Sequence, residues 1–470
     1  MADRVVRWLP LVFVYGALAW MTGLAAAPIH DPDAWWHLRL GNDLIAQHSL
    51  SAPDHWSSFA TVPWVPTEPL PEVVSAYVER WNGLPGLAVL FGVSLFLFVV
   101  TVQLTNRREG GLLPATIATV LAVPAATLSL TPRPQVISFV LLPIVLAAWL
   151  QTERDLKARW WLVPLVWFWS LCHGFWIFGP AFGFLFVVGI ALSRRADLRT
   201  LVRLAAVAIA SLAVVALNPV GLGVLEAPFV VRGIAPYVSE WQRTDLLTAA
   251  PLAAAVMIVA TAVIWGLTRR GATWSRLLML AIAVLLLWYA ARLVVVSALV
   301  VAPLFAQALD AVVARSGSST DPARRIGRLE LGTLAACAVV CTAVLAIVAP
   351  HTSDTPGHVP LGLDPVLDRL PAGTPVFNAY VLGGWLTWRH PDLDQYVDGL
   401  ATPYSEAHVR DYVRADAIDP GWYRVVLDSR APVALVGSGS LLATALEKKG
   451  WTSEGTSNGY VLLQRPDRGP

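Results

Sequence analysis

The sequence predicts a polytopic α-helical membrane protein with a C-terminal extracytoplasmic α/β domain, and two observations lead to this prediction. Hydrophobic residues make up 56% of the 470 residues, whereas charged residues make up only 14%. A soluble globular chain carries about 25% charged residues, so this chain lacks the polar surface that a soluble body of its size needs. The apolar residues also fall in runs of about 20, the length at which a helix crosses a bilayer. A disulfide scaffold, a disordered chain and an ordinary cytosolic enzyme are therefore excluded.

The apolar runs predict about 11 transmembrane helices. We expect them near residues 6–27, 85–104, 112–130, 136–151, 160–172, 175–192, 201–218, 251–268, 273–290, 292–310 and 329–350. Two long runs are interrupted, the first at Cys172-His173-Gly174 and the second at Arg292. The first run, 6–27, also suits a signal peptide, but no clear cleavage site follows it, which favours a signal anchor.

The distribution of Lys and Arg predicts the orientation. If the N-terminus is cytoplasmic, most Lys and Arg outside the tail fall in cytoplasmic segments, as the positive-inside rule expects. An odd number of spans then leaves the C-terminal domain extracytoplasmic. We therefore expect a multi-pass protein of a bacterial plasma membrane.

The predicted domains are a transmembrane domain over 1–350, a linker over 351–363 and an α/β domain over 364–470. The first outside loop covers 28–84 and the second covers 219–250. In the tail, β-like runs at Thr374–Tyr380, Gln395–Val397, Val433–Val436 and Tyr460–Gln464 alternate with helical stretches at Ser405–Ala415 and Ser440–Lys449. This alternation is typical of a small α/β domain.

The most informative string, His30 to Gly41, directly follows the first span. Pro32 disfavours helical geometry at the residue before it and suits the first turn of a helix. Asp33 and His37 then lie on one face of that helix, four residues apart. Trp36, with Leu40 and Leu44, forms an apolar stripe expected of a helix lying in the membrane interface. Trp faces also suit the C–H faces of sugars.

Asp31 and Asp33 are the candidate catalytic residues. Carboxylates at such a position act as a general base or bind a divalent cation such as Mg²⁺ or Mn²⁺. The alternative is that an Asp only caps the helix, but one cap explains only one of the two carboxylates.

The chain resembles C-type (GT-C) membrane glycosyltransferases, and within them a bacterial branch similar to protein mannosyltransferases. The resemblance rests on the following strings: Asp31-Pro32-Asp33-x-Trp35-Trp36-His37-Leu38-x-x-Gly41, Arg133-Pro134-Gln135, His173-Gly174, Leu217-Asn218-Pro219-x-Gly221, Ser239-Glu240-Trp241, an intramembrane Arg292, Val376-Phe377-Asn378 and Val397-Asp398-Gly399. Where the branch has His-Glu-Trp, this chain has Thr67-Glu68-Pro69, and Cys172 replaces an Asn.

The resemblance implies transfer of a sugar from a polyprenyl-phosphate donor to a hydroxyl of a glycan, protein or lipid acceptor, with inversion at the sugar carbon. Membrane lipid is a further partner, and the net charge of +2 gives no indication of nucleic-acid binding. Because Glu68 lacks the branch's flanking His and Trp, a catalytically inactive envelope scaffold remains an alternative. A transporter of a lipid-linked sugar or small polar solute is another, since interrupted helices and an intramembrane arginine also suit transporters.

Candidate substrate-binding residues accompany the two aspartates. They are Trp35, Trp36, His37, Glu68, Arg133, His173, Glu240 and Arg292. Arg133 suits a lipid phosphate, or is a snorkelling arginine at a helix end. Arg292 suits the same phosphate, or forms a structural ion pair with Glu240. His173 contacts donor phosphate or sugar, or is an interior hydrogen-bonded histidine. Glu240 completes a sugar pocket, or is a plain loop carboxylate.

Overall fold

The computed structural model describes residues 8–51, 56–225, 235–315 and 326–466, with the side chains of residues 314 and 315 left aside. The chain divides into two compact units. The membrane unit comprises Met1–Ala27, Pro85–Leu225 and Ser239–Thr352. The polar unit comprises Pro28–Leu84, Glu226–Val238 and Ser353–Pro470. The start of the predicted span 6–27 and residues 226–234 of the second outside loop lie outside the described residues.

The helices of the membrane unit follow the predicted runs. They are α1 (Leu11–Ala25), the second part of α3 (Pro69–Glu109), α4 (Leu112–Ala126), α5 (Gln135–Asp155), α6 (Leu162–Ser170), α7 (Phe178–Leu192), α8 (Leu198–Ala213), α9 (Ala249–Thr268), α10 (Trp274–Tyr289), α11 (Val294–Arg315) and α12 (Arg328–Thr352). Among the described residues, eight helical segments are long and apolar enough to span a membrane, and α1 and α10 are shorter apolar helices. The polytopic helical class is thus confirmed, whereas the count of eleven spans stays a prediction.

Both predicted interruptions are breaks in helical structure. The first break separates α6 from a 3₁₀ turn at Gly174–Ile177, and His173 between them has extended backbone. The second break follows Ala290, which is also extended, and a 3₁₀ turn at Ala291–Leu293 leads into α11. Non-helical backbone at membrane depth is tolerated where protein covers it. Ala290 is fully buried and His173 is 2% exposed, so both breaks meet this condition.

The core of the membrane unit lies around α11. Of the apolar window in the segment Ala291–Val313, 89% is buried, against 17% for α12. Helix α11 is therefore surrounded by other helices, whereas α12 presents most of its apolar surface outward, as a lipid-facing helix does. Buried ion pairs also join helix ends: Arg107 binds Glu330 at 2.7 Å, and Arg276 binds Glu109 at 2.9 Å and Glu153 at 3.1 Å.

Helix α3 changes direction where the two units divide. Gly83 has φ 61° and ψ −159°, a conformation outside the helical region. Pro85 follows two residues later and cannot donate a backbone hydrogen bond. The segment from Pro69 to this kink belongs to the polar unit, and the segment from Pro85 belongs to the membrane unit.

The polar unit contains a five-stranded mixed sheet in the order β2-β1-β3-β5-β4. Its strands are β1 (Pro375–Asn378), β2 (Asp394–Gln395), β3 (Val433–Gly437), β4 (Thr452–Ser457) and β5 (Tyr460–Gln464). Strand β1 is parallel to β2 and β3, while β5 is antiparallel to β3 and β4. The α/β class predicted for the tail is confirmed. Strand β4 was not predicted, because it is an edge strand of polar, largely exposed residues without an apolar alternation.

Seven α-helical segments lie in the described part of the polar unit. They are α2 (Asp33–Gln47), the first part of α3, α13 (Asp364–Leu367), α14 (Gly383–Arg389), α15 (Glu406–Asp416), α16 (Trp422–Asp428) and α17 (Leu441–Lys448). The first outside loop packs onto the tail. Ser57 donates a hydrogen bond to the carbonyl of Gln395 at 2.6 Å, and the backbone N–H of Ser58 donates to Asp394 at 2.9 Å. The folded body around the sheet therefore includes the loop that carries Asp31 and Asp33.

Candidate functional site

The two aspartates of the first loop occupy different environments. Helix α2 begins at Asp33, directly after Pro32, as the sequence predicts. Asp31 is 4% exposed, and its Oδ1 accepts a hydrogen bond from the backbone N–H of Asp33 at 2.9 Å. Asp31 therefore does what the capping alternative expects, since it satisfies a free donor at the helix start. Asp33 is only partly buried, which makes it the more accessible carboxylate of the two.

A glycine of the tail lies against Asp33. A methyl group placed on Gly399 would overlap Oδ1 of Asp33. Likewise, a methyl group on Gly384 would lie 2.6 Å from the carbonyl oxygen of Pro32. At Gly384 a side chain would therefore clash with backbone, whereas at Gly399 it would push aside the carboxylate of Asp33.

A buried carboxylate holds the turn that carries Gly399. Asp398 is 2% exposed and accepts hydrogen bonds from the Tyr404 hydroxyl at 2.9 Å and from the backbone N–H of Leu400 at 3.0 Å. Burial raises the pKa of Asp398, while the hydrogen bonds from Tyr404 and Gln395 act in the opposite direction. Burial also raises the pKa of the Tyr404 phenol well above its ordinary value. The Asp-Gly turn is therefore a rigid support, and these residues stay without a catalytic assignment.

The tryptophans of the first loop pack inside the polar unit. Trp35 is 1% exposed and stacks on Trp388 with ring centroids 5.1 Å apart. Trp36, together with Leu40 and Leu44, is buried against Trp64. The expectation that this stripe lies in the membrane interface is corrected: the hydrophobic pattern does not distinguish a lipid surface from a protein one.

Trp36 retains a polar group that packing does not satisfy. Its indole Nε1 is buried and has no hydrogen-bond partner within the described part of the chain. It lies 3.5 Å from the position that a methyl group on Gly399 would take. A buried N–H of this kind costs free energy unless some acceptor reaches it. Trp36 therefore fits ligand binding through its N–H, whereas Trp35 has no accessible ring face.

His37 joins two glutamates from the start of α3. Its Nδ1 lies 2.9 Å from Oε1 of Glu72, and its Nε2 lies 3.8 Å from Oε2 of Glu68. Glu72 is 1% exposed, and its Oε2 has no partner within the described residues. Sequence reasoning missed Glu72, although it stands four residues after Glu68 and so on the same helix face. We call His37, Glu68 and Glu72 the acidic cluster. Among the described residues it is the group of three such side chains placed to hold a metal ion, and Asp31 and Asp33 are not part of it.

In the membrane unit, two arginines converge on one carboxylate. Arg133 Nη1 lies 3.0 Å from Oε1 of Glu240, and Arg292 Nη1 lies 2.9 Å from Oε2 of the same residue. Arg133 precedes α5, Glu240 lies in the 3₁₀ turn Ser239–Trp241, and Arg292 lies in the second helix break. The expected Arg292–Glu240 pair is therefore present. The Glu240 carboxylate is shared by two guanidinium groups.

His173 lies beside Arg292 and its ring is held on the other side. The backbone N–H of Phe175 donates to Nδ1 at 3.2 Å, and Nδ1 also lies 2.9 Å from the Ser138 hydroxyl. A backbone N–H only donates, so Nδ1 is an acceptor and the proton of a neutral ring resides on Nε2. Nε2 in turn lies 3.4 Å from Nη2 of Arg292. Two donors thus face each other, an arrangement that an anionic oxygen between them would stabilise.

Aromatic rings and one unsatisfied donor complete this group. The Arg292 guanidinium lies 5.7 Å from the centre of the Phe175 ring and 5.6 Å from that of the Trp241 ring. Its Nε is buried and has no partner within the described residues. We call Arg133, His173, Glu240 and Arg292 the cationic cluster. Guanidinium groups that hold a carboxylate have the chemistry to bind other oxyanions, and Nε of Arg292 is a buried donor available to one.

Other motif residues of the membrane unit support the backbone. Asn218 donates to the carbonyl of Ser170 at 3.0 Å, which fixes the end of α6. Gln135 donates to the carbonyl of Ser129 at 2.9 Å. Cys172, where the branch has Asn, is fully buried beside His173. These side chains position the helix breaks.

Comparison with known proteins extends the description of the fold. No family model matches this sequence. No curated protein sequence matches it either. Solved structures do match. The oligosaccharyltransferase AglB from Archaeoglobus fulgidus, in complex with an inhibitory peptide and a dolichol-phosphate, is 12% identical with a TM-score of 0.56. The match covers 92% of this chain and 69% of that one.

A second match covers both chains almost completely. ArnT from Cupriavidus metallidurans bound to undecaprenyl phosphate is 16% identical with a TM-score of 0.51, over 98% of this chain and 99% of that one. Its apo form is 17% identical with the same TM-score. These matches confirm the fold that the resemblance implies, while the protein mannosyltransferase-like branch stays a prediction.

Proposed function

We propose that the chain is an inverting membrane glycosyltransferase that moves a sugar from a polyprenyl-phosphate donor to an acceptor hydroxyl, on the extracytoplasmic side of a bacterial plasma membrane. The observation that carries this proposal is the cationic cluster. Two guanidinium groups hold one carboxylate in the membrane unit, and the imidazole of His173 lies beside one of these guanidinium groups. Structural neighbours with the same fold are described in complex with dolichol-phosphate and undecaprenyl phosphate.

Glu240 marks where the donor phosphate binds in this proposal. A carboxylate held by two arginines resembles a phosphate in charge and in its two acceptor oxygens. The lipid phosphate replaces the Glu240 carboxylate on Arg133 or Arg292, and the unsatisfied Nε of Arg292 gains an acceptor. Because arginine presents several donors in one plane, it suits a phosphate with several oxygens.

Asp33 is the proposed general base. The acceptor hydroxyl attacks the sugar carbon, its proton passes to the Asp33 carboxylate, and the bond between that carbon and the phosphate oxygen breaks. Direct displacement inverts the sugar carbon. The leaving lipid phosphate gains negative charge, which the cationic cluster stabilises electrostatically. Asp31 acts through Asp33 by fixing the start of α2.

Sugar transfer by the purified full-length chain in lipid nanodiscs tests the proposal. The substrates are a panel of polyprenyl-phosphate sugars with candidate acceptors, and the readouts are transfer and donor binding. Loss of a general base typically costs 10² to 10⁴-fold in rate, so we expect Asp33→Asn to lose transfer by about that factor and to keep donor affinity. Asp43→Asn is the matched control, because Asp43 lies on the same helix and pairs with Arg39.

Two outcomes would contradict the proposal. Equal transfer by wild type and Asp33→Asn would remove Asp33 as the base. Uptake of a lipid-linked sugar into proteoliposomes without chemical change would instead support the transporter alternative. Absence of both transfer and donor binding would leave the fold without this activity.

A further inference from the structure

The acidic cluster brings two carboxylates against one imidazole. The side chains of His37, Glu68 and Glu72 are 7%, 14% and 2% exposed. One imidazole therefore stands between two carboxylates in a nearly dry environment. A histidine gives at most one positive charge, and it gives none when neutral. Buried carboxylates are stable only when paired with cations or bound to a metal.

The second observation is the unsatisfied oxygen of Glu72. Its Oε1 meets His37 at 2.9 Å, but Oε2 of the same carboxylate has no partner among the described residues. The residue is 1% exposed, so bulk water does not solvate that oxygen. A buried carboxylate oxygen without a donor is rare and indicates a missing ligand.

The spacing of the three side chains fits one cation. One ligand atom of each residue lies within 4.8 Å of the ligand atoms of the other two. With metal–ligand bonds of about 2.1 Å, two ligands on a tetrahedral ion lie about 3.4 Å apart. The 3.8 Å between His37 Nε2 and Glu68 Oε2 exceeds this separation by a few tenths of an ångström, and no separation within the three chosen ligand atoms exceeds 4.8 Å.

The donor set also indicates which cations fit. An imidazole nitrogen with two carboxylates suits Zn²⁺ and Mn²⁺, whereas Mg²⁺ and Ca²⁺ prefer oxygen ligands alone. We propose that His37, Glu68 and Glu72 bind one divalent transition-metal cation of the Zn²⁺ or Mn²⁺ class. This site lies apart from Asp31 and Asp33, and its binding is measurable without any sugar donor or acceptor.

The site would couple the metal to the start of α2. His37 is four residues after Asp33 on one helix, Glu68 directly precedes α3, and Glu72 lies in its first turn. A cation that joins the two helices would hold the helix carrying Asp33 in place. His37, Glu68 and Glu72 are thus metal ligands with a positioning effect, and no bond to a substrate is assigned to them.

Metal titration of the full-length chain tests the site. The protein in lipid nanodiscs is stripped with a chelator and titrated with Zn²⁺ by calorimetry and with Mn²⁺ by electron paramagnetic resonance. We expect one equivalent bound by wild type, and binding at least tenfold weaker in Glu68→Gln and in His37→Gln. The control Asp43→Asn changes a carboxylate of the same loop outside the cluster and should bind like wild type.

Thermal unfolding distinguishes a loss of metal binding from a folding defect. The metal should raise the Tm of wild type and of Asp43→Asn, but not that of Glu68→Gln. Glu68 is the more accessible glutamate, so its amide variant is expected to fold, with circular dichroism as the check. No bound equivalent in wild type, or unchanged affinity in both Glu68→Gln and His37→Gln, would overturn the proposal. Neither result depends on whether the chain transfers sugar.

Discussion

The cationic cluster of the membrane unit and the acidic cluster of the polar unit have the same arrangement with the charges reversed. In the first, Arg133 and Arg292 share the single carboxylate of Glu240. In the second, two glutamates share the single imidazole of His37. Each cluster is therefore centred on one group that two groups of the opposite kind share.

The difference teaches what each cluster is able to bind. Guanidinium and imidazole donors suit a phosphate, whereas carboxylates suit a metal cation. Each cluster also retains one buried polar atom without a partner in the described residues, Nε of Arg292 in the first and Oε2 of Glu72 in the second. A purely structural ion pair would satisfy both atoms, so the comparison favours ligand sites over structural pairs.

The largest expected effect comes from removing Arg292. A hydrogen bond to a charged group contributes about 1.5–3 kcal/mol, so Arg292→Ala should weaken binding of polyprenyl phosphate on the order of 100-fold. Metal binding by the acidic cluster should stay unchanged. Binding is measured with fluorescent polyprenyl phosphate in nanodiscs, alongside metal titration.

Arg243→Ala is the matched control for this prediction. Arg243 is exposed and lies over the Trp288 ring at 4.8 Å, so it is an arginine of the same segment outside the cluster. If Arg292→Ala and Arg243→Ala bound polyprenyl phosphate with equal affinity, the cationic cluster would be a structural ion pair and not a phosphate site.

The clusters differ in how far the sequence predicts them. Arg292 and His173 stand out because they interrupt apolar runs, and charged residues there rarely lack a role. The pairing of Arg292 with Glu240 follows as an alternative from the same reasoning. Glu72 does not stand out, because it begins an ordinary helix with mixed residues and only the tertiary position of His37 reveals it. That Oε2 of Glu72 is buried without a hydrogen-bond partner in the described residues is known only from the structure.

The sequence predicts the fold well where the length of an apolar run determines the element. The helices of the membrane unit follow the apolar runs, and β3 and β5 follow short apolar runs. Helix α14 was missed, since Gly383-Gly384 suggests a turn rather than a helix start. The need for glycine there comes from the approach of Pro32, a long-range contact that no local pattern encodes. The packing of Trp35 against Trp388 is likewise a long-range contact that no local sequence pattern encodes.

A smaller effect is expected from Gly399→Ala, which sharpens the role of Asp33. The new methyl group would displace the carboxylate end of Asp33, a flexible group that moves at little cost to stability. A misplacement of about 1 Å costs up to about 100-fold in rate, and we expect a loss of about tenfold in transfer. Donor binding, metal binding and Tm should remain close to wild type.

Gly439→Ala is the control for this change, because a methyl group there meets open space. If Gly399→Ala lowered the Tm strongly, the glycine would be needed for packing instead. If transfer were unaffected, Asp33 would not need its observed position, and the base would have to be sought elsewhere in the polar unit.

The smallest and most discriminating effect is expected from Glu240→Gln. The amide keeps the shape of the side chain but removes the charge that competes with phosphate for Arg133 and Arg292. If Glu240 occupies the phosphate position, the variant should bind polyprenyl phosphate a few-fold more tightly, on the order of 1 kcal/mol. If Glu240 contacts the sugar instead, binding of the sugar-loaded donor should weaken while that of the bare lipid phosphate stays constant. Titrating both ligands against wild type and against Asp245→Asn, a carboxylate of the same segment, separates the two roles. Unchanged affinity for both ligands would mean that neither the phosphate nor the sugar meets Glu240.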